Sequence, residues 1–241
     1  MPAPESALPL AFESVSFVAD GAARLDGVSF VVGHAPIGVV LGPNGAGKSL
    51  LLRLAAGLLA PTRGRVRWLG PAAAFAHQRS AVVLQRPVLL RRSVRANLSY
   101  AMRLRGVPRG EREARGDLAL EMARLRGFAR RAARRLSVGE QQRVALARAW
   151  CVGAEVLFLD EPAASLDPGA AGVLEVAIRN MRDVGTRIVM ATHDLGHARR
   201  MADEVLFLHQ GRLLEQTPAT EFFHEPRSAL ARKFLQGEIL E

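Results

Sequence analysis

Apolar and polar positions along the chain follow two periods. Residues 10–18 mix apolar with polar side chains in a strand-like pattern, closed by a turn at Asp20-Gly21. A second strand, 28–32, follows the turn at Asp26-Gly27. Residues 37–41 are a short, wholly apolar run of the buried-strand type, leading straight into a glycine-rich loop. Leucines 51, 54 and 58 then recur on one helical face and predict a helix over 48–59. Gly57 weakens its end, and Pro61 with Gly64 closes the segment. Residues 66–69 read as a further strand. From 93 to 149 the pattern is helical and arginine-rich, broken by Pro108 and Gly110 into at least two pieces. Beyond Gly153 an apolar strand, 156–159, ends in Asp160-Glu161. A helix over 172–182, a strand over 187–191, a helix over 195–201, a strand over 205–208 and a turn at Gly211 complete the pattern. Strands alternating with helices predict an α/β fold with a mostly parallel sheet covered on both faces. The helical block reads as an insertion into that core, and no internal repeat is visible.

Composition narrows the class. With 241 residues, 49% of them apolar, the chain can bury a sizeable core. No apolar run approaches the roughly 20 residues of a membrane-spanning helix. Residues 1–10 lack the basic-then-apolar order of a signal peptide. The single cysteine, Cys151, has no intrachain partner and reads as a core residue. These features lead us to expect a cytoplasmic protein. The net charge of +10 comes with arginines concentrated between Arg86 and Arg148, and few aromatics lie among them. Stacking platforms for nucleic acid interleave rings with cations. An anionic membrane surface or an acidic partner therefore fits better than nucleic acid.

The strongest chemical signal is Gly42, Pro43, Asn44, Gly45, Ala46, Gly47, Lys48 and Ser49. Two glycines five apart followed by Lys and Ser match the phosphate-loop pattern. Glycines let the backbone turn its N–H groups toward phosphate oxygens. The helix beginning near Lys48 directs its positive dipole end at the same anion. Lys48 supplies a cation for the β- and γ-phosphates, and Ser49 a hydroxyl for Mg²⁺. Asp160 and Glu161 end an apolar strand, where open α/β sheets bind their ligands. Asp160 is expected to hold Mg²⁺, and Glu161 to orient or deprotonate the attacking water.

With these motifs in their observed order, the chain resembles the nucleotide-binding subunit of ABC transporters over nearly its full length. Residues 42–49 resemble the family's Walker A loop and 156–161 its Walker B strand. Gln85, in Val82-Val83-Leu84-Gln85-Arg86-Pro87, resembles the Q-loop glutamine. Leu136-Ser137-Val138-Gly139-Glu140, followed by Gln141-Gln142-Arg143, resembles the signature that separates this family from other phosphate-loop proteins. Ala164-Ser165-Leu166-Asp167 resembles the D-loop, and His193 the switch histidine. The other histidines, His34, His77, His197, His209 and His224, read as structural.

The resemblance implies an ATPase with ATP and Mg²⁺ as ligands. The nucleotide would contact 42–49 and Leu50, and the metal Ser49, Gln85 and Asp160. Glu161 and His193 would be the catalytic residues. Two copies would pair head to tail, so that Ser137, Gly139 and Glu140 face the nucleotide of the partner copy. It implies one ABC ATPase domain over 1–241: a catalytic core with a β subdomain (8–90 and 150–214), a helical subdomain carrying the signature (91–149), and a tail (215–241). It also implies permease subunits, a periplasmic solute-binding protein reached through them, and a place on the cytoplasmic face of the inner membrane. Length and the tail around Pro218, Phe222 and Phe234 resemble importers, including tungstate-type oxyanion subunits. An ATP-driven regulator that moves no solute is the alternative reading. Three departures stand out. Val138 takes the place of the signature's first glycine, Glu140 that of its glutamine, and Ala19 that of an adenine-stacking aromatic, with Phe17 two residues earlier reading as core.

Overall fold

The computed structural model describes residues 6–33 and 35–238; His34, the leader-region reading of 1–5 and the final residues 239–241 lie outside the described residues. The chain divides into two compact units, one built from the segments before Gln78 and after Ile188, the other from Gln78–Ile188.

In the first unit, β1 (Leu10–Ala19) lies between β2 (Ala22–Val32) and β4 (Arg63–Trp68) in an antiparallel sheet. Alternation buries Leu10, Phe12, Val15, Leu25 and Val28 on its inner side, with Phe12 stacked on Phe30 at 4.4 Å between ring centroids. The apolar run β3 (Ile37–Leu41) is buried at every position and pairs in parallel with β8 (Glu204–His209). The helix α1 (Lys48–Ala55) is shorter than the leucine spacing predicts. It ends because Gly57 N–H bonds the Leu54 carbonyl and Leu58 N–H reaches back to that of Arg53, a Schellman closure. The short α6 (Leu195–Met201) follows the strand β7 (Arg187–Thr192), which carries the chain back from the second unit.

Beyond β8 come elements that the sequence pattern did not predict: the antiparallel strand β9 (Arg212–Pro218) and the helices α7 (Ala219–His224) and α8 (Ala229–Leu235). They close over Phe207, whose ring meets Phe222 at 5.8 Å and Phe234 at 5.4 Å. The buried Glu215 on β9 holds this tail. Its carboxylate accepts the Arg227 N–H at 3.1 Å and the Ser228 N–H at 2.9 Å.

In the second unit, β5 (Ser80–Val83) and β6 (Val156–Asp160) pair in parallel. The helices α2 (Val94–Leu104), α3 (Arg112–Met122), α4 (Val138–Trp150) and α5 (Pro168–Asp183) pack beside them. The helical block between Gln78 and β6 has three α-helices, divided at the expected Pro108 and Gly110 breakers and again after Met122. Buried Asn97 knits its N-terminal side: its Oδ1 accepts the Leu90 N–H at 2.9 Å and its amide donates to the Ser93 carbonyl at 2.9 Å. The buried Cys151 thiol is pushed up to about 12 by desolvation. Among the described residues, no helix is long and apolar enough to cross a membrane.

Candidate functional site

The phosphate loop lies in the first unit, between β3 and α1. Its geometry explains its composition at Gly42. A Cβ there would fall 2.0 Å from the Leu208 carbonyl oxygen, so only glycine fits against β8. Gly47 is the N-cap of α1, and Leu51 N–H already bonds its carbonyl, so the helix's first amides have no intrahelical acceptor. Lys48, 6% exposed, folds over the loop and donates to the carbonyls of Gly42 at 2.8 Å and Pro43 at 2.9 Å. Asn44 and Gly45 remain exposed at the tip, and Ser49 and Leu50 are half-buried.

His193 is in the same unit, exposed just past β7. Its neighbour Asp194 caps α6, accepting the His197 N–H at 2.9 Å, while its own N–H bonds the Thr192 hydroxyl at 3.1 Å. That His197 N–H is the main cause holding the Asp194 carboxyl below its ordinary range. A depressed folded pKa contributes stability above the unfolded pKa and loses it as pH falls through the folded one. Asp194→Ala should therefore lower Tm at neutral pH, the cap being worth about 1 kcal/mol. In melts repeated at falling pH, the gap to the unsubstituted chain should close.

In the second unit, Asp160 closes the buried strand β6 and is 5% exposed, with Glu161 beside it at 9%. Glu161 has φ 46°, a left-handed conformation that costs energy for any residue with a Cβ. Gln85 stands exposed two residues past β5. Asp167 caps α5, accepting the Ala170 N–H at 2.9 Å. That helix starts at Pro168, four residues earlier than its apolar pattern alone suggests.

The signature segment is the start of α4. Ser137 is its N-cap: its hydroxyl oxygen accepts the Glu140 N–H at 3.3 Å, and the Glu140 carboxylate accepts the Ser137 N–H at 2.8 Å. This capping box gives Glu140 a local task, and the Ser-x-x-Glu spacing could have disclosed it in the sequence. The amides of Val138 and Gly139, at the first helical positions, have no intrahelical acceptor. Gly139 is buried, and a Cβ there would meet Ala170 Cβ at 3.0 Å. Val138 lies in ordinary helical backbone and is 59% exposed, so this departure alters bulk and not backbone conformation.

The residues fit the expected ligands. Gly42 and Gly47 let the loop pack against β8 and β2, where a Cβ would fall 2.0 Å from the Leu208 carbonyl oxygen and 2.8 Å from Leu25 Cδ2. Ser49 in the first unit, and Gln85 and Asp160 in the second, each carry a hard oxygen donor of the kind Mg²⁺ takes. Among the described residues no group of three or more His, Cys, Asp and Glu is placed to hold a metal ion by itself. Phe17 and Ala19 are half-buried on β1, and the core ring on that strand is Phe12 rather than Phe17. His197 and His209 are buried, whereas His77 and His224 are exposed.

A family model described as ABC transporter matches residues 25–164. The chain belongs to the ABC transporter family. Three relatives in that family carry related names. Phosphate import ATP-binding protein PstB 2 of Natronomonas pharaonis is 35% identical, covering 96% of this chain and 87% of the relative. Fe(3+) ions import ATP-binding protein FbpC of Streptomyces coelicolor is 38% identical, covering 98% of this chain and 68% of the relative. Sulfate/thiosulfate import ATP-binding protein CysA of Mycobacterium bovis is 37% identical, covering 88% of this chain and 62% of the relative. A solved structure described as the ATP-binding subunit of an ABC transporter superposes with a TM-score of 0.78 at 26% identity, covering 95% of this chain and 99% of that one. The ABC ATPase fold expected from the motifs is the fold observed: α/β, with parallel strand pairs, a separate antiparallel sheet and a helical block. As a member of this family the chain is an ATP-binding protein and an ATPase.

Proposed function

We propose that the chain powers import of a small inorganic solute through separate permease subunits, binding ATP at a site completed by a second copy of itself. The observation that carries this reading is the signature at the head of α4. Its capping box leaves the first amides of the helix presented beside an exposed hydroxyl, an anion site with no phosphate loop of its own element to serve. In a head-to-tail pair, Ser137 and Gly139 of one copy would face the γ-phosphate held by residues 42–50 of the other.

The remaining roles follow from side-chain chemistry. Lys48 neutralises the β- and γ-phosphates, and the loop amides orient them. Ser49, Asp160 and Gln85 would hold Mg²⁺, which when bound would offset phosphate charge. Glu161 positions the attacking water and takes its proton. His193 donates a hydrogen bond to the γ-phosphate. Two bound ATPs favour the closed pair, closure moves the permease, and loss of the γ-phosphate reverses the preference. The protein works at the cytoplasmic face of the inner membrane, with a periplasmic binding protein delivering solute to the permease.

Import is supported by the names of the three relatives, and the oxyanion class by two of them, named for phosphate and for sulfate or thiosulfate import, the third being named for Fe(3+) ions. Tungstate is our specific candidate within that class. The test is copurification with a membrane subunit, then ATPase assays with binding protein loaded with tungstate, phosphate or sulfate. Stimulation by one oxyanion supports the reading. A membrane complex that hydrolyses ATP with no response to any loaded binding protein overturns it.

Val138 gives a sharper test of the paired site. If its bulk holds the copies apart, Val138→Gly should raise turnover a fewfold without altering ATP affinity of the isolated subunit. Unchanged turnover in a steady-state assay would sink the idea that the valine is a brake.

A further inference from the structure

The turn between β8 and β9 is a two-residue hairpin loop, Gln210-Gly211, with φ of 43° and 75°. Two consecutive left-handed residues are the type I′ arrangement that suits a tight hairpin. A Cβ on Gly211 would lie 2.7 Å from the Arg24 carbonyl oxygen and 3.1 Å from Leu25 Cα, so the turn is pressed against β2. It is also tied there: the Asp26 N–H donates to the Gly211 carbonyl at 2.9 Å, and Arg212 grips the Asp26 carboxylate from Nε at 3.0 Å and Nη2 at 2.6 Å. The remaining group of the turn faces the phosphate loop. Gly211 N–H donates to the Ala46 carbonyl at 3.0 Å.

That bond has a geometric consequence. Within one trans peptide the C=O and the N–H point in opposite directions. Fixing the Ala46 carbonyl on the hairpin therefore aims the Gly47 N–H away from it, toward the other face of the loop. The same hairpin supplies the Leu208 carbonyl that packs against Gly42. Lys48 holds the carbonyls of Gly42 and Pro43. The carbonyls of Gly42, Pro43, Ala46 and Gly47 thus all accept from protein, and Gly211 is the donor that holds the Ala46 carbonyl from outside the loop and its helix.

We propose that Gly211 is a positioning residue for nucleotide binding: its N–H, held rigid by the β8–β9 turn and the Asp26–Arg212 pair, pre-orients the 46–47 peptide of the phosphate loop and so sets affinity for the polyphosphate. This rests on the reading of 42–49 as the phosphate-binding loop. Because the oriented amide serves bound phosphate before and during reaction alike, the effect falls on binding and KM and leaves kcat in place.

The experiment uses the full-length chain. Alanine keeps the N–H, but its Cβ, 2.7 Å from the Arg24 carbonyl oxygen, would push the turn off β2 and away from the Ala46 carbonyl. Calorimetric titrations with ATP, ADP and inorganic pyrophosphate should show Gly211→Ala binding all three about five- to tenfold more weakly, the scale of one lost oriented hydrogen bond. The kcat at saturating ATP should stay within about twofold. A folded variant that binds as tightly as the unsubstituted chain, or one that loses kcat at unchanged KM, overturns the proposal. A second measurement needs no variant. By reciprocity of coupling, saturating ADP should slow hydrogen exchange at the Gly211 amide by a similar factor relative to the ladder amide of Phe207. Equal protection of both amides overturns the proposal even if Gly211→Ala fails to fold. If the unsubstituted chain binds none of the three probes, the phosphate-loop reading itself falls. If it binds them and Gly211 is indifferent, only the positioning role falls.

Discussion

Glu161→Gln is expected to bind ATP within about twofold of the unsubstituted chain and to lose turnover by about a hundred- to ten-thousandfold, the usual contribution of a positioned base. The amide keeps the size of the carboxylate but cannot take a proton from water. The backbone supports a functional assignment: a residue with a Cβ held at φ 46°, 9% exposed and beside a buried aspartate at the end of a core strand, is conformationally costly. Steady-state phosphate release alongside nucleotide titration checks the prediction. Hydrolysis at the ordinary rate would remove Glu161 from the role of base.

Lys48→Ala is expected to act on binding instead. The Lys48 ammonium lies 2.8 Å and 2.9 Å from two loop carbonyls, positioned by a stem buried among α1 and the loop. A hydrogen bond to a charged partner is worth about 1.5–3 kcal/mol. Its loss should weaken ATP by about ten- to a hundredfold, with ADP following and adenosine unaffected. The variant should also relax the loop, since the carbonyls of Gly42 and Pro43 lose their shared donor. Calorimetry with the three ligands separates these outcomes. ATP affinity within about threefold of the original would mean that the lysine only closes the loop.

The sequence disclosed what is local and chemically dense. The phosphate loop follows an apolar strand and opens a helix, so neighbours reinforce each other, and β6 with Asp160 is similarly compact. Short or weakly patterned elements escaped. The strand β5 has only four residues, and β9 reads Arg-Leu-Leu-Glu-Gln-Thr-Pro, with no clean alternation; both are strands because neighbours pair with them. The start of α5 was hidden because Asp167 and Pro168 are a cap and an N1 residue, which carry no apolar period. At the candidate site, the motif residues can be named from the sequence, whereas the groups that bond them cannot. Nothing near Ala46 in the chain announces that Gly211 will hold its carbonyl, and only the Ser-x-x-Glu spacing hints that Glu140 bonds back to Ser137.

The fate of Cys151 makes a spectroscopic experiment direct. The chain's single thiol is sealed in the core, and its raised pKa leaves almost no thiolate at neutral pH, so maleimide reagents will pass it by. A cysteine introduced at the exposed position 138 would then be the one labelled site, with no background to remove. A nitroxide or fluorophore there, on each copy of the proposed pair, would act as a ruler for the proposed closure during turnover.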